Sequence, residues 1–524
     1  MAKVEERVRL KTMEDKVADL HARRAVIELG GGRDRIEKQH EGGKLSARER
    51  IAALVDKSSF QEIGAFARHR ASYFGMAGKD LAADGVVTGC ATIDGRLVHL
   101  ASQDFTVVGG AAGEVHCSKI AEMMNMSLKT GSPFVFVNDS GGARVQEGID
   151  SLDGYARVFH RNVMLSGTVP QIAVICGPCA GGAAYSPALT DFVIQTKQAR
   201  MFITGPQVIK QVTGEEVTAE ELGGPQSQMN NAGVVHLIAK DDAEALQLCR
   251  RLLSFLPSNN LEDPPRAGFS SKLKLDSDLN EIVPVDPKVA YDVRSIITRV
   301  LDERDFLEIQ PGFAANVVIG FGRLQGRPVG VVANQPNAMA GVLDINASDK
   351  AARFVRFCNA FNIPLLTFVD VPGFLPGVEQ ESGGIIRHGA KLLFAYSAAT
   401  VPKITMVLRK AYGGAYIAMC CKGLGADRVF AWPTAEIAVM GAEGAAEIVF
   451  KHEIDTALDQ AARRKEVVEE YRETFANPYV AAGRRFVDEV IEPAETRRSL
   501  ALALESLHAK RELRPPKKHG LIPL

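Results

Sequence analysis

Short apolar runs and helix-like stretches alternate along most of the chain. The clearest run covers residues 172–175, a segment of strand length bounded by residues that interrupt regular structure. It leads to the glycine pair Gly181 and Gly182, after which residues 183–194 favour a helix. The same succession of strand, glycine turn and helix returns in residues 401–416. Strands that alternate with helices predict a mainly parallel layered sheet, and therefore an α/β fold.

The same patterns predict further elements before the first glycine pair. Predicted helices cover residues 44–54, 115–128 and 155–165, and predicted strands lie within residues 84–100, 98–108 and 133–139.

An internal duplication relates the two halves of the chain. VVTG at 86–89 corresponds to VVIG at 317–320, 231 positions later. Other first-half residues repeated at that offset are Gly95, Arg96, Val98, Gly110, Lys119, Ala121, Pro133 and Asp139. A shared frame of this length predicts two copies of one α/β domain. Residues 256–287 are rich in Pro, Ser, Asn and Asp, which predicts a linker between domains at 1–260 and 285–524.

Charge and composition exclude several classes of protein. The 524 residues include 62 Lys and Arg against 63 Asp and Glu, which argues against a nucleic-acid or membrane-surface binder driven by global charge. The first twenty residues carry charges throughout, and no apolar stretch reaches the roughly 20 residues of a membrane helix, so a cytoplasmic protein is expected. Eight scattered cysteines are expected to be buried thiols and not a disulfide scaffold.

Each copy has a second glycine turn after a predicted strand. Gly141, Gly142 and Ala143 follow Asp139 closely, and Gly373 and Phe374 follow Asp370 in the second copy. In a parallel sheet, turns at the carboxyl ends of neighbouring strands open onto one crevice, so backbone N–H groups from both turns can converge on one oxygen. That arrangement is an oxyanion hole. The alternative is that the glycines only permit tight turns, and the duplication favours the oxyanion hole.

Two other motifs have weaker functional interpretations. Cys176 and Cys179 have the CxxC spacing of thiol redox sites and of half a zinc site, but no second CxxC or HxxxH completes four ligands, so a buried turn without metal is expected. Residues 108–113 do not meet the G-x-G-x-x-G order of a dinucleotide site, and the sequence contains no Walker motif.

Longer motifs resemble the carboxyltransferase subunits of biotin-dependent acyl-CoA carboxylases and transcarboxylases, which contain two crotonase-like (ClpP/crotonase) domains. In the first half the similar motifs are SQDFTVVGGAAGE at 102–114, SGGARVQEGIDSL at 140–152, GPCAGGAAYSPALTDF at 177–192 and FITGPQVIK at 202–210. In the second half they are DINASDKAARF at 344–354, FVDVPGFLPGVEQESGGIIRHGAKLL at 368–393, RKAYGGAY at 409–416 and AWPTAEIAVMGAEGAAE at 431–447. The family includes methylmalonyl-CoA carboxyltransferase, methylmalonyl-CoA decarboxylase α and propionyl-CoA carboxylase β subunits.

The resemblance implies a reaction and a set of site residues. A carboxyl group would move between carboxybiotin and the α-carbon of a short acyl-CoA, propionyl-CoA or methylmalonyl-CoA. The N–H groups of Ala143 and Gly182 would hold the enolate oxygen of the CoA thioester, and those of Gly414 and Ala415 the ureido oxygen of biotin. Residues expected to line the substrate sites are Gly141, Gly142, Gly181, Gly373, Phe374, Gly413 and Ile417.

The resemblance also implies partners. Biotin would be carried covalently on a separate carrier protein or domain, so the expected partners are a biotin carboxyl carrier protein and either biotin carboxylase or membrane decarboxylase subunits. The family usually forms hexamers in which the first domain of one subunit faces the second domain of another. Ile417 stands where many propionyl-CoA carboxylase β subunits carry Asp, and it is expected to alter the preference for acyl chain length.

Two other functions stay open at this point. One is a crotonase-like acyl-CoA hydratase or hydrolase that does not use biotin. The other is a thiol-redox or scaffold subunit that depends on Cys176 and Cys179.

Overall fold

The computed structural model describes residues 11–269 and 273–524. Half of the first twenty residues, which carry charges throughout, therefore lies outside the described residues. The chain forms two compact units. The first unit extends to Gln228 and includes Leu237–Arg250, and the second contains Met229–His236 and Arg251–Leu524. Across 11–269 and 273–524, no helix has both the length and the apolar character that crossing a membrane requires.

Each unit contains an eight-stranded sheet. In spatial order the strands of the first sheet are Gln61–Ile63, Val86–Ile93, Arg96–Gln103, Phe134–Ser140, Gln171–Ala180, Phe192–Thr196 and Leu237–Ala239, with Arg200–Phe202 also paired to Gln171–Ala180. Those of the second are Phe306–Ile309, Val317–Leu324, Arg327–Asn334, Leu365–Val371, Lys403–Tyr412, Arg428–Ala431 and Glu489–Val490, with Glu436–Ala438 also paired to Lys403–Tyr412. The order and the connections match strand for strand, which confirms the predicted duplication.

Both sheets change from antiparallel to parallel at the same place. The first three strands of each sheet are antiparallel, and all later pairs are parallel. Every residue of Phe134–Ser140 and of Leu365–Val371 is buried, as expected for central strands covered on both faces. The predicted α/β class is confirmed.

Helices cover and connect the strands. Those that lie in or begin in the first unit are Met13–Glu28, Arg33–Glu41, Ala47–Leu54, Glu114–Thr130, Ile149–Leu165, Gly182–Ala188, Pro206–Thr213, Ala219–Gly223, Pro225–Asn230 and Asp242–Leu253. Those of the second unit are Leu279–Ile282, Arg294–Val300, Ile345–Ala360, Val378–Gly383, Ile385–Ala398, Gly413–Ala418, Ala442–Val449, Lys451–Thr456, Gln460–Thr474, Pro478–Gly483 and Thr496–Ser506.

Two local predictions around the first glycine pair are wrong. The helix predicted over residues 183–194 ends at Ala188, and Phe192–Thr196 is a buried strand, because a short run rich in β-branched and aromatic residues suits a central strand better than a helix. Cys176 and Cys179 do not form a turn, because the strand Gln171–Ala180 continues through both.

Two buried lysines hold irregular segments against the sheets. Lys119 Nζ donates to the carbonyl oxygens of Ala83, at 2.7 Å, and of Val86, at 2.5 Å. Its duplicate Lys350 donates to four carbonyl oxygens, those of Gln310, Phe313, Ala314 and Val317. Burial lowers the pKa of Lys119 to about 8 and that of Lys350 to about 7. Each ammonium group takes the place of water at these carbonyl oxygens, of which those of Ala83, Gln310 and Ala314 also accept from a backbone N–H.

Replacing Lys350 with methionine is therefore expected to destabilise the second unit by about 2 kcal/mol or more, since four buried carbonyl groups each lose one hydrogen-bond donor. Differential scanning calorimetry would measure the change in melting temperature. Lys119→Met is the matched variant for the first unit, and unchanged melting in both variants would contradict the assigned role.

Candidate active site

The loop after the strand Phe134–Ser140 is held by an isolated parallel bridge between Ala112 and Ala143. Ala112 N donates to Gly142 O at 2.9 Å, and Arg144 N donates to Ala112 O at 2.9 Å. Successive peptide groups of an extended chain face opposite sides. Ala143 N–H therefore faces away from Ala112.

The other amides of this loop are engaged in holding its shape. Gly141 N donates to Gly109 O at 2.9 Å, and Gly142 N donates to Ser140 Oγ at 3.1 Å. Gly142 has φ +103°, a conformation that L side chains rarely adopt. Among these three residues, the geometry thus leaves Ala143 as the candidate donor.

The second turn of the first unit opens the helix Gly182–Ala188. Its N-cap, Gly181, has φ +60°, and the amide of Gly182, the first residue of the helix, lies too early in it to reach a carbonyl partner within the helix. A β-carbon on Gly142 would lie 2.8 Å from Ala180 O, so the two turns lie directly against each other. The structure thus brings together the turns that carry Ala143 and Gly182.

Gly182 also packs closely against an aromatic ring. A β-carbon there would lie 3.3 Å from Tyr155 Cδ2, closer than most real contacts of this kind. A bulky side chain at this position must displace the ring or turn into the space in front of the amides.

The second unit repeats the loop geometry. An isolated parallel bridge pairs Leu343 with Phe374, in which Leu343 N donates to Gly373 O at 3.1 Å and Leu375 N donates to Leu343 O at 2.8 Å. Phe374 N–H therefore occupies the place that Ala143 N–H has in the first unit. From the sequence, Phe374 was expected only to line a site. The 231-residue offset maps Ala143 onto Phe374 and could have revealed the equivalence.

The second glycine turn of this unit opens the helix Gly413–Ala418. Gly413 has φ +57°, and the amides of Gly413, Gly414 and Ala415 all belong to the first helical turn. A β-carbon on Gly414 would lie 3.9 Å from Phe374 Cε2, which is an ordinary van der Waals distance. The two turns are neighbours here as in the first unit.

A buried aspartate anchors the strand end before the loop in the first unit. Asp139 is fully buried and accepts hydrogen bonds from Lys44 Nζ at 2.8 Å, Arg50 Nη1 at 2.8 Å and Gln39 Nε2 at 3.0 Å. Arg50, also fully buried, donates through Nε to Asp242 at 2.7 Å. This network ties two N-terminal helices to the strand that carries the loop.

The duplicated position, Asp370, uses a partner from a neighbouring strand. Arg409 Nε donates to Asp370 Oδ2 at 3.1 Å, and Lys410 N donates to Asp370 Oδ1 at 3.1 Å. The aspartate is repeated in the sequence, but its cationic partner is not.

Arg144 clamps the first loop, the one that carries Ala143, through buried ionic and hydrogen-bonded contacts. Its guanidinium is fully buried and donates to Asp84 Oδ1 at 2.6 Å, to Glu147 Oε1 at 2.7 Å and to Ala111 O at 2.8 Å. Burial raises the pKa of Asp84, an effect that the charge of Arg144 opposes. The equivalent residue of the second unit is Leu375, so only the first loop has this clamp.

The cysteine pair has no environment for redox chemistry. Cys176 and Cys179 are fully buried, and burial raises the pKa of both thiols. Seven of the eight cysteines are buried, as expected, and Cys90 is half-buried. Within 11–269 and 273–524, no group of His, Cys, Asp and Glu side chains is arranged to hold a metal ion.

Comparison with known proteins defines the class. The carboxyl transferase domain model matches residues 38–522, and the chain belongs to this family. It is 60% identical over 512 residues to the methylmalonyl-CoA carboxyltransferase 12S subunit of Propionibacterium freudenreichii subsp. shermanii, covering 98% of each chain. It is 55% identical to the methylmalonyl-CoA decarboxylase subunit alpha of Propionigenium modestum, covering 97% of this chain and 99% of the relative.

A solved structure is similar over the whole length. The transcarboxylase 12S crystal structure, described as a hexamer with methylmalonyl-coenzyme A and methylmalonic acid bound, has a TM-score of 0.97 and 59% identity, and the match covers 99% of this chain and 100% of that one. The predicted family, duplicated crotonase-like fold and class of enzyme are confirmed. The hydratase or hydrolase alternative is not favoured.

Proposed function

We propose that this carboxyltransferase moves a carboxyl group between biotin and the α-carbon of propionyl-CoA/methylmalonyl-CoA, with the thioester held by the first unit and biotin by the second. The observation that carries the proposal is the repeated pair of adjacent turns, each with a loop amide facing away from its bridge and a helix-start amide beside it. The names of the similar proteins supply the acyl-CoA.

The amides of Ala143 and Gly182 are the proposed donors to the thioester oxygen. When the carboxyl group leaves the α-carbon of methylmalonyl-CoA, negative charge moves onto that oxygen. Fixed N–H groups stabilise this charge, and one such donor in a dry site contributes roughly 3–4 kcal/mol to transition-state stabilisation. Gly141, Gly142 and Gly181 shape the turns that aim the two donors.

The second unit would hold the ureido group of biotin, whose oxygen accepts hydrogen bonds. We assign Gly414 and Ala415 as donors, and the repeat adds Phe374 N–H to this set. Bound biotin supplies a ureido nitrogen that takes up or releases the carboxyl group. The turns at Gly373 and Gly413 hold the loop and helix that would orient it.

Ile417 is the proposed determinant of acyl chain length. It lies in the helix Gly413–Ala418, and its side chain is 45% exposed. In the proposed hexamer, where the second unit of one subunit would face the first unit of another, an apolar side chain at this place would contact the acyl group held by the facing subunit, whereas Asp would present a charge.

The proposal includes an assembly and partners. The chain would form a homo-hexamer, as described for the transcarboxylase 12S structure. A biotin carboxyl carrier protein would deliver biotin, and biotin carboxylase or membrane decarboxylase subunits would complete the pathway. Sedimentation of the purified protein would measure the assembly, and a stable monomer would contradict it.

The variant Gly414→Val tests the assignment of biotin to the second unit and of the thioester to the first. A valine side chain intrudes on the proposed biotin donors, so biotin-dependent decarboxylation of methylmalonyl-CoA should fall about 100-fold. Calorimetric titration should still show binding of methylmalonyl-CoA with unchanged affinity.

Gly483→Val is the control for this variant, since a β-carbon at Gly483 meets no heavy atom within 4 Å. Loss of methylmalonyl-CoA binding in Gly414→Val, with biotin dependence retained, would reverse the assignment.

A further inference from the structure

Tyr412 immediately precedes the second unit's glycine turn and is the N-cap residue of the helix Gly413–Ala418. Its side chain is buried, and its hydroxyl donates a hydrogen bond to Glu436 Oε2. Burial and the neighbouring Glu436 carboxylate raise the pKa of Tyr412, so the hydroxyl keeps its proton and remains a donor.

Glu436 is held on two sides. It begins the strand Glu436–Ala438, which pairs in parallel with Lys410, Ala411 and Tyr412. Its Oε1 lies 3.4 Å from Nε of Arg472, a residue of the helix Gln460–Thr474. The acceptor of the Tyr412 hydroxyl therefore belongs to a strand and a helix beyond the turn.

Arg472 is itself fixed by further acids. Its Nη1 lies 2.7 Å from Glu469 Oε2, and its Nη2 lies 3.6 Å from Glu443 Oε1. The chain of contacts thus runs from the helix Gln460–Thr474 through Glu436 to the Tyr412 ring.

The segment after Glu436 also packs around the turn. A β-carbon on Gly441 would lie 3.3 Å from Tyr412 Cε2, and a β-carbon on Gly413 would lie 3.0 Å from Val439 O. The ring has little room to move, and the peptide that follows it is closely confined. The ring and the peptide that leads to the first helical amides are therefore confined by the same segment.

The first unit lacks this tether. The 232-residue offset that aligns Gly181 with Gly413 places Ala180 at the position of Tyr412, and alanine has no hydroxyl. The Tyr412 contact therefore acts on the second turn alone, and a side-specific effect can distinguish positioning from a general packing role.

We propose that Tyr412 is a positioning residue for the biotin side, whose hydrogen bond to Glu436 sets the direction of the Gly414 and Ala415 N–H groups. This inference rests on the proposed function, which assigns those amides to biotin. Tyr412 acts through the backbone that follows it and does not touch the reacting atoms.

The experiment compares four variants in the full-length protein. Tyr412→Phe removes the hydroxyl and keeps the ring, and Glu436→Ala removes the acceptor. Glu436→Gln keeps an oxygen acceptor in place. Tyr396→Phe is the matched control, because Tyr396 is a fully buried tyrosine of the same unit whose hydroxyl lies 2.9 Å from Thr367 Oγ1, away from Glu436.

Biotin-dependent decarboxylation of methylmalonyl-CoA gives the kinetic readout. Tyr412→Phe and Glu436→Ala should lower kcat about ten-fold and raise the KM for biotin, because misdirected donors lose transition-state contact. The KM for methylmalonyl-CoA should not change, Glu436→Gln should stay within about two-fold of the wild type, and Tyr396→Phe should behave as the wild type. Wild-type kcat and KM for biotin in Tyr412→Phe, or an equal loss in Tyr396→Phe, would overturn the inference.

Hydrogen exchange separates this inference from the proposed function. Tyr412→Phe should speed amide exchange in residues 411–419 and leave residues 180–188 unchanged. If the wild type lacks biotin-dependent activity, the proposed function fails, while faster exchange confined to 411–419 still supports the tether. Unchanged exchange there would overturn the tether whatever the activity.

Discussion

Gly182→Val is expected to lower the rate of methylmalonyl-CoA decarboxylation by about 100- to 1,000-fold, the loss typical of removing one oxyanion donor. A β-carbon on Gly182 lies 3.3 Å from the Tyr155 ring, so the valine must press on the ring or cover the amide. Steady-state kinetics with saturating biotin would measure the loss. The effect should exceed that of Gly182→Ala, whose single methyl group needs a shift of only a few tenths of an ångström.

The folding of Gly182→Val must be measured together with its decarboxylation rate. Pressure on Tyr155 is expected to cost about 1–3 kcal/mol, so the variant should still fold at 25 °C. Circular dichroism and sedimentation should match those of the wild type and of the Gly483→Val control. A folded Gly182→Val protein with wild-type turnover would count decisively against the oxyanion role of this turn.

Arg144→Met should produce the largest loss of stability, about 3–5 kcal/mol, because it leaves buried carboxylates without their cation. The side chains of Arg144 and Asp84 are fully buried, and that of Glu147 is 5% exposed. The loop that carries Ala143 should lose its position at the same time, so activity should fall with stability. Calorimetry and the decarboxylation assay would measure both losses.

A surface arginine provides the matched control for this variant. Arg464 lies 57% exposed beside Glu447, and Arg464→Met should change stability by less than about 1 kcal/mol. Adding Asp84→Asn to Arg144→Met should recover part of the loss, since it removes one uncompensated charge. Equal stability of Arg144→Met and Arg464→Met would show that the buried cluster has no clamping role.

The repeated architecture could be predicted because its signals are local. A short apolar run, a glycine pair and a helical stretch lie next to one another in sequence, and their recurrence after 231 or 232 residues identifies the copy. The parallel part of each sheet follows from this alternation. The prediction of the end of the helix after Gly182 is wrong because Phe192–Thr196, whose residues suit a strand, pairs with a neighbouring strand on each side, and the helical pattern did not show this pairing.

The anchors of the site could not be read from the sequence. Arg50 and Asp139 meet across 89 positions, and Lys44 and Asp139 across 95, and no spacing rule relates such partners. Arg144 forms its contact with Asp84 across 60 positions. Ionic partners of this kind depend on which elements the fold brings together, so only the aspartate that is repeated in both copies gave a signal.

The central claim is that duplicated backbone donors hold a thioester and a urea for carboxyl transfer. Its most direct test is the formation of propionyl-CoA from methylmalonyl-CoA, followed chromatographically with and without free biotin. Faster formation of propionyl-CoA that saturates with biotin is the predicted result. A rate that is the same in the absence of biotin, or hydrolysis to free CoA in its place, would contradict the claim.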